Sequence, residues 1–200
     1  MFIEELIDDL GMLGSIALAI IGVAFLVYII IKISNKITAK KLKPLAEMLN
    51  AEVKSSFLFG SYIEILNYGP EIHLRLTFGG NNSPPYLHLD LLNPVGFNFR
   101  IARRQVFNEI LFRWGKEVKL NDVFIDEDLL IRSDKPMEAA SYLMDSRRKD
   151  AIKYFFEDGF TEIKAISKGV YISKANYTKD DLLPEKAQTY LDNLNTFSRM

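Results

Sequence analysis

Residues Leu10 to Ile31 carry no charged side chain, and their core reads Ile-Ala-Leu-Ala-Ile-Ile-Gly-Val-Ala-Phe-Leu-Val-Tyr-Ile-Ile-Ile. As a helix this run measures about 33 Å, enough to cross a hydrocarbon layer of about 30 Å. It is apolar on every side, so its solvent is lipid. The span divides the chain of 200 residues into four parts. Residues 1–9 are a short N-terminus, 10–31 a transmembrane helix, 32–50 a basic juxtamembrane helix or linker, and 51–200 a domain large enough to bury a real core.

The flanks set the direction. Glu4, Glu5, Asp8 and Asp9 precede the span, and Lys32, Lys36, Lys40, Lys41 and Lys43 follow it. A secretory signal has a basic start, a shorter apolar region and a small-residue cleavage site, none of which fits, so the span is read as an uncleaved anchor. Lysine-rich flanks stay in the cytoplasm. In a bacterial cell this places the domain on the cytoplasmic side of the inner membrane, with the N-terminus outside. The same lysines between Ile33, Ile37 and Leu42 could also rest on anionic lipid, but topology alone accounts for them. Gly11, Ser15, Ala19 and Gly22 recur at spacings of four, four and three on one helix face, where a second helix could pack closely. Pro44 is expected to break or restart the helix, with Leu45, Met48 and Leu49 capping the domain.

The formal net charge is -1, and the lysines and acids flanking the span leave the domain itself near neutral. Such a domain has no long-range pull on nucleic acid. No cysteine is present, which excludes disulfides, thiolate metal sites and cysteine nucleophiles.

From Glu52 to Leu92 the hydrophobic period is two. Tyr62 to Leu66, Ile72 to Phe78 and Tyr86 to Leu91 read as antiparallel strands with one wet face, separated by Asn67-Tyr68-Gly69-Pro70 and by the loop from Gly79 to Pro85. Phe97, Phe99 and Ile101 suggest another strand. Val106, Phe107, Ile110, Leu111 and Trp114 follow helical spacing up to Gly115, with a continuing strand as the alternative. Phe124 to Arg132 reads as a short extended piece. Ser133-Asp134-Lys135-Pro136 signals a helix start. A second helix spans Arg147 to Asp158, a hairpin turns at Lys168-Gly169, and a last amphipathic helix spans Leu182 to Phe197 with Leu183, Ala187, Tyr190, Leu191 and Leu194 as its stripe. The expected class is α+β: one N-terminal transmembrane helix, then a mainly antiparallel sheet with helices packed on one face.

The run from Asn121 to Asp134, followed by Ala139, Ala140 and Leu143, resembles a segment of bacterial membrane-anchored domains of unknown function. The resemblance covers at most a third of the domain. It implies a membrane-tethered domain and no catalytic residue.

The candidate chemistry is thin. His73 and His88 are the only histidines, and both fall on the wet side of neighbouring strands. A register that keeps the leucines inward sets His73 opposite His88, or His73 opposite Asp90 with Arg75 opposite His88. Either clusters titratable groups, but His73, His88 and Asp90 are few ligands for a metal and Arg75 repels a cation. The acids Asp122, Asp126, Glu127, Asp128 and Asp134 fail the calcium-loop pattern, since Glu127 falls where glycine is needed. Arg100, Arg103, Arg104 and Arg113 lie among Phe97, Phe99 and Phe112, a pattern that suits single-stranded nucleic acid or lipid headgroups, although the phenylalanines fit the core. Gly79-Gly80 is no phosphate cradle. With no catalytic constellation, metal site or cofactor motif, the chain reads as a single-pass anchored interaction domain, a structural or assembly subunit of a membrane complex. Its expected partners are the bilayer and a protein or a second copy of itself, and no nucleic acid. The alternative is a membrane-tethered enzyme or metal-dependent sensor using the His73/His88/Asp90 face.

Overall fold

The computed structural model describes residues 2–56, 60–77, 79, 83–104 and 115–198, with side chains from residue 17 onward. The apolar run lies inside one helix, α1 (Phe2–Met48), which continues past that run without interruption. Pro44 therefore does not end it, contrary to expectation. An internal proline costs roughly 3 kcal/mol through its missing N–H and a steric clash. Leu42, Leu45 and Ala46 on either side of Pro44 are buried against the sheet, and fully burying a leucine is worth about 2 kcal/mol. Packing thus outweighs the local penalty. Met48, expected to cap the domain with Leu45 and Leu49, is 58% exposed. The helix closes in a reverse turn: Asn50 is left-handed (φ 51°), and the Ala51 N–H reaches back to the Ala46 carbonyl at 2.9 Å.

The strands are β1 (Glu52–Ser56), β2 (Gly60–Ile65), β3 (Ile72–Thr77), β4 (Tyr86–Leu91), β5 (Phe99–Arg103), β6 (Lys116–Glu117), β7 (Leu129–Ser133), β8 (Glu162–Ile166) and β9 (Gly169–Ala175). They form a single sheet in the order β1-β2-β3-β4-β9-β8-β5-β7-β6, in which every pairing is antiparallel. The hairpin β8–β9 is inserted between the β1–β4 meander and β5. Its turn needs Gly169, because a Cβ there would lie 2.0 Å from the Leu91 carbonyl oxygen. Alternate residues point to one buried face: Ile63 and Ile65, Ile72 and Leu74, Leu87 and Leu89, Phe99 and Ile101, Ile163, Val170 and Ile172.

Helices cover that face: α2 (Val123–Asp128), and, as the amphipathic patterns predict, α3 (Pro136–Leu143), α4 (Ser146–Glu157) and α5 (Pro184–Asn195). The predicted extended piece from Phe124 is instead α2 followed by β7. The Asp122 side chain accepts the Ile125 N–H and nucleates the helix, which buries Ile125. Pro136 opens α3, but no side chain caps it, and Asp134 turns to Asn98, accepting from its backbone N–H at 2.9 Å. Ala151, Ile152, Phe155 and Phe156 of α4 are buried, and Gly159 follows its end at φ 88°. In α5 the stripe is Ala187, Tyr190, Leu191 and Leu194, whereas Leu183 is 49% exposed. The segment from Val106 to Trp114, with Phe112 and Arg113, lies outside the described residues.

One inward position breaks the apolar pattern. Lys174 of β9 is 8% exposed, and its ammonium lies 2.7 Å from both Asp158 Oδ2 and Asp181 Oδ1. Lys186 of α5 reaches the same two carboxylates at 2.9 Å. The Tyr190 hydroxyl sits 2.5 Å from Asp158 and 2.8 Å from Asp181, so its single proton serves one at a time. Burial pushes the Asp181 carboxyl up, but hydrogen bonds from Lys174, the Thr178 N–H, Lys186 and Tyr190 outweigh it and hold the group well below the usual carboxylate range. The network pins α4, the turn before α5, and α5 onto the centre of the sheet. Replacing Lys174 by Met is expected to leave two carboxylates with too little positive charge and to cost about 3 kcal/mol, measured as a lower midpoint in thermal or urea unfolding of the purified chain. An unchanged midpoint would show the network to be dispensable.

Candidate functional site

The face of the sheet away from α2–α5 is polar, and its register brings side chains from distant parts of the chain into two rows. One row runs Tyr62, Arg75, His88, Ser173, Glu162. The next runs Glu64, His73, Asp90, Tyr171, Lys164, Arg100, Arg132. His73 therefore faces Asp90 and Arg75 faces His88, the second of the two registers that the leucine pattern allowed.

Adjacency does not make His73, His88 and Asp90 one centre. Asp90 accepts from Arg75 Nε at 2.6 Å. His73 Nε2 lies 2.5 Å from Glu71 Oε1, and its ring packs on Tyr62 with centroids 4.3 Å apart. His88 is bound on both nitrogens, with Nδ1 3.0 Å from Ser173 Oγ and Nε2 3.3 Å from Thr77 Oγ1. Burial lowers the affinity of His88 for a proton, the Arg75 guanidinium lowers it further, and Asp90 opposes only in part. His88 is thus a neutral hydrogen-bonding residue within the sheet face.

A different trio converges. Glu64, Glu71 and His73 place one ligand atom each within 4.8 Å of one another. Two carboxylates and an imidazole suit a divalent cation in type and number. Lys54 of β1, however, forms an ion pair with Glu64, so an ammonium already supplies positive charge beside this cluster.

Part of the acidic run is built into the fold, while Glu127 and Asp128 are exposed. Asp122 caps α2 and pairs with Lys153 at 2.8 Å, and Asp126 accepts the Leu120 N–H at 2.9 Å. The described arginines of the cluster are engaged as well. Arg100 pairs with Glu162, Arg103 donates to the Phe156 carbonyl at 2.6 Å, and Arg104 meets Glu117 at 2.5 Å. Phe97 and Phe99 are buried, as core residues should be.

The juxtamembrane lysines sit in three different surroundings. Lys32 lies over the Tyr28 ring at 5.7 Å. Lys41 lines a shallow apolar hollow with Ile30, Ile33 and Ile37. Lys36, Lys40 and Lys43 instead line a groove of about 570 Å³ between α1 and β1, whose other walls include Ala39, Ala46, Ala51 and Val53. The spacing 36, 40, 43 was visible in the sequence as one helix stripe. What faces that stripe was not, because the return of the chain through Asn50 decides it. In the anchor, Ala19 and Gly22 are exposed, and a Cβ at Gly22 would meet nothing within 4 Å. Gly11 and Ser15 belong to the part of α1 whose side chains lie outside the description.

Compared with protein-family models and with curated proteins, the chain matches none. Among solved structures it is similar to the mycobacterial trehalose monomycolate transport factor A, TtfA. The two share 9% sequence identity and a TM-score of 0.52, over 82% of this chain and 97% of that one. At that identity the likeness concerns the fold alone. Independently, the apolar stretch of α1 is long enough to cross a membrane, which points to membrane anchoring.

The state of His88 makes a pH prediction. Its imidazole titrates near 6.5 when unfolded and lower when folded. The unfolded chain therefore binds the proton more readily, and stability is lost as pH falls from about 6.5 through the folded value. Thermal unfolding at pH 7.5 and 5.5 should show a smaller acid-induced loss in His88→Gln than in the parent. Equal losses would mean that His88 is not shielded from protonation.

Proposed function

We propose that this chain is a single-pass membrane subunit that holds an interaction domain against the membrane surface, where it docks a protein partner of a membrane assembly or transport machinery. The observation that carries this reading is the continuity of α1. The apolar run ends at Ile31, and by Asn35, about 6 Å further along the helix, the backbone already accepts a hydrogen bond from Ser61 of β2 at 2.8 Å. An anchor joined to its domain without a slack linker suits a part that fixes position and orientation. The fold shared with TtfA, itself a transport factor, supports the same direction. The sheet face favours docking over catalysis, since His73, His88 and Asp90 each engage a different neighbour. The Gly11, Ser15, Ala19 and Gly22 face offers a place for a partner helix or a second copy within the bilayer.

In this reading the domain is cytoplasmic and the N-terminus lies outside, as the five lysines after the span require. A C-terminally tagged chain extracted from native membranes in mild detergent should bring down a stoichiometric set of proteins, identified by mass spectrometry. A solitary chain would contradict the assembly reading. The absence of cysteine makes orientation directly measurable. The exposed Lys179, changed to Cys, should react with a membrane-impermeant maleimide only after lysis.

A further inference from the structure

The groove between α1 and β1 has the elements of a strand-addition site. β1 stands at the end of the sheet, and among the described residues no strand pairs with its outer side. An edge strand presents backbone donors and acceptors to any extended segment laid beside it. At the membrane end this edge is closed, because the Ser56 carbonyl accepts from Asn35 Nδ2 at 3.3 Å. Residues 52–55 remain as the template. On the helix side Ala51, Val53 and Ser55 form the wall of the groove, and small alanines on α1, Ala39 and Ala46, leave room above them.

The charges in the groove name its occupant. Lys36, Lys40 and Lys43 are all exposed along one side of the groove, and one acid, Glu47, also lines it, so the lining is net positive. Lys43 has a loose contact, 3.8 Å, with Glu47, and both side chains are largely exposed. On a helix these lysines rise by about 6 and 4.5 Å, whereas side chains on one face of a strand repeat every 7 Å or so. Long, flexible lysines absorb that difference. Two or three acidic side chains at alternate positions of an added strand would therefore each meet an ammonium, and their neighbours would face the polar side of the sheet. A lipid headgroup fits less well. The lysines lie about 7 to 18 Å beyond the end of the apolar run, and the headgroup layer is only about 5 to 8 Å deep.

We infer that the α1–β1 groove binds an extended acidic segment of a partner protein, which pairs with β1 as an additional strand while its alternate carboxylates meet Lys36, Lys40 and Lys43. This rests on the interaction reading above and specifies the chemistry of the partner. It also gives the edge strand and the lysine stripe one common purpose, with backbone pairing supplying affinity and the lysines supplying selectivity.

The test uses the full chain in detergent and a fluorescent heptapeptide of alternating aspartate and valine. Saturable binding is expected. It should weaken by about tenfold or more in K36Q/K40Q/K43Q and for a peptide with lysine in place of aspartate. Amide exchange in residues 52–55 should slow when the peptide binds. Binding without that protection would overturn strand addition, and undiminished binding by the triple variant would overturn the role of the lysines. No binding to the parent chain would overturn the inference outright. If phosphatidylglycerol vesicles, but not neutral ones, displace the peptide from the parent chain and themselves need the three lysines, the groove is a lipid site and the inference is wrong. Co-purification separates this from the wider reading: partners recovered equally well with the triple variant would leave the assembly subunit standing and remove the groove as its docking site.

Discussion

The packing of the C-terminal third of α1 on β1 and β2 is the constraint on which the rest depends. Asn35, Thr38, Leu42, Leu45 and Leu49 recur at alternating spacings of three and four, so they share the face of α1 that meets the sheet. Leu42 and Leu45 enter the same core as Ile63, Leu74 and Leu89. The helix that lipid requires at one end is therefore the helix that the domain requires at the other. Because α1 is continuous, the helical rise rather than a slack tether sets the distance between the apolar run and the sheet.

At the opposite end of the chain, a different force does comparable work. Lys174, Asp158, Asp181, Lys186 and Tyr190 meet in the interior, where unpaired charge is costly and paired charge is directional. Their geometry fixes where α5 lies. Tyr68, in the turn after β2, then donates to Asp192 of α5 at 2.8 Å and ties the helix to the meander. The membrane-proximal meander and the C-terminal helix thus belong to one body.

Much of this was legible in the sequence, for a physical reason. The anchor and the β2, β3, β4, β8 and β9 strands are each amphipathic or apolar by a period that local geometry imposes, so burial follows pattern. The failures occur where a local signal competes with a distant one. Pro44 says stop, but the sheet beneath α1 says continue. Val123, Phe124 and Ile125 look like strand residues, yet the Asp122 cap and the burial of Ile125 set a helix. Lys174 lies on the inward side of β9 with Val170 and Ile172, but its partners Asp158, Asp181 and Tyr190 come from other elements, so local pattern does not reveal the ion-pair network. The two histidines illustrate the limit for sites: the leucine pattern restricted the register to two choices, and only the paired strands distinguish them. The groove beside β1 depends on the chain reversing at Asn50, a left-handed turn that spacing alone does not reveal.

If the packing of α1 on β1 and β2 holds in a bilayer, anchor and domain move as one rigid unit. Because the chain has no cysteine, two spin labels can be placed without background, at Val23→Cys in the span and Asn67→Cys in the turn after β2. Pulsed dipolar spectroscopy of the labelled protein in lipid bilayers would measure the distance between them. A single narrow distance distribution is the predicted result. A broad distribution, in which the domain samples many distances from the span, would contradict the account.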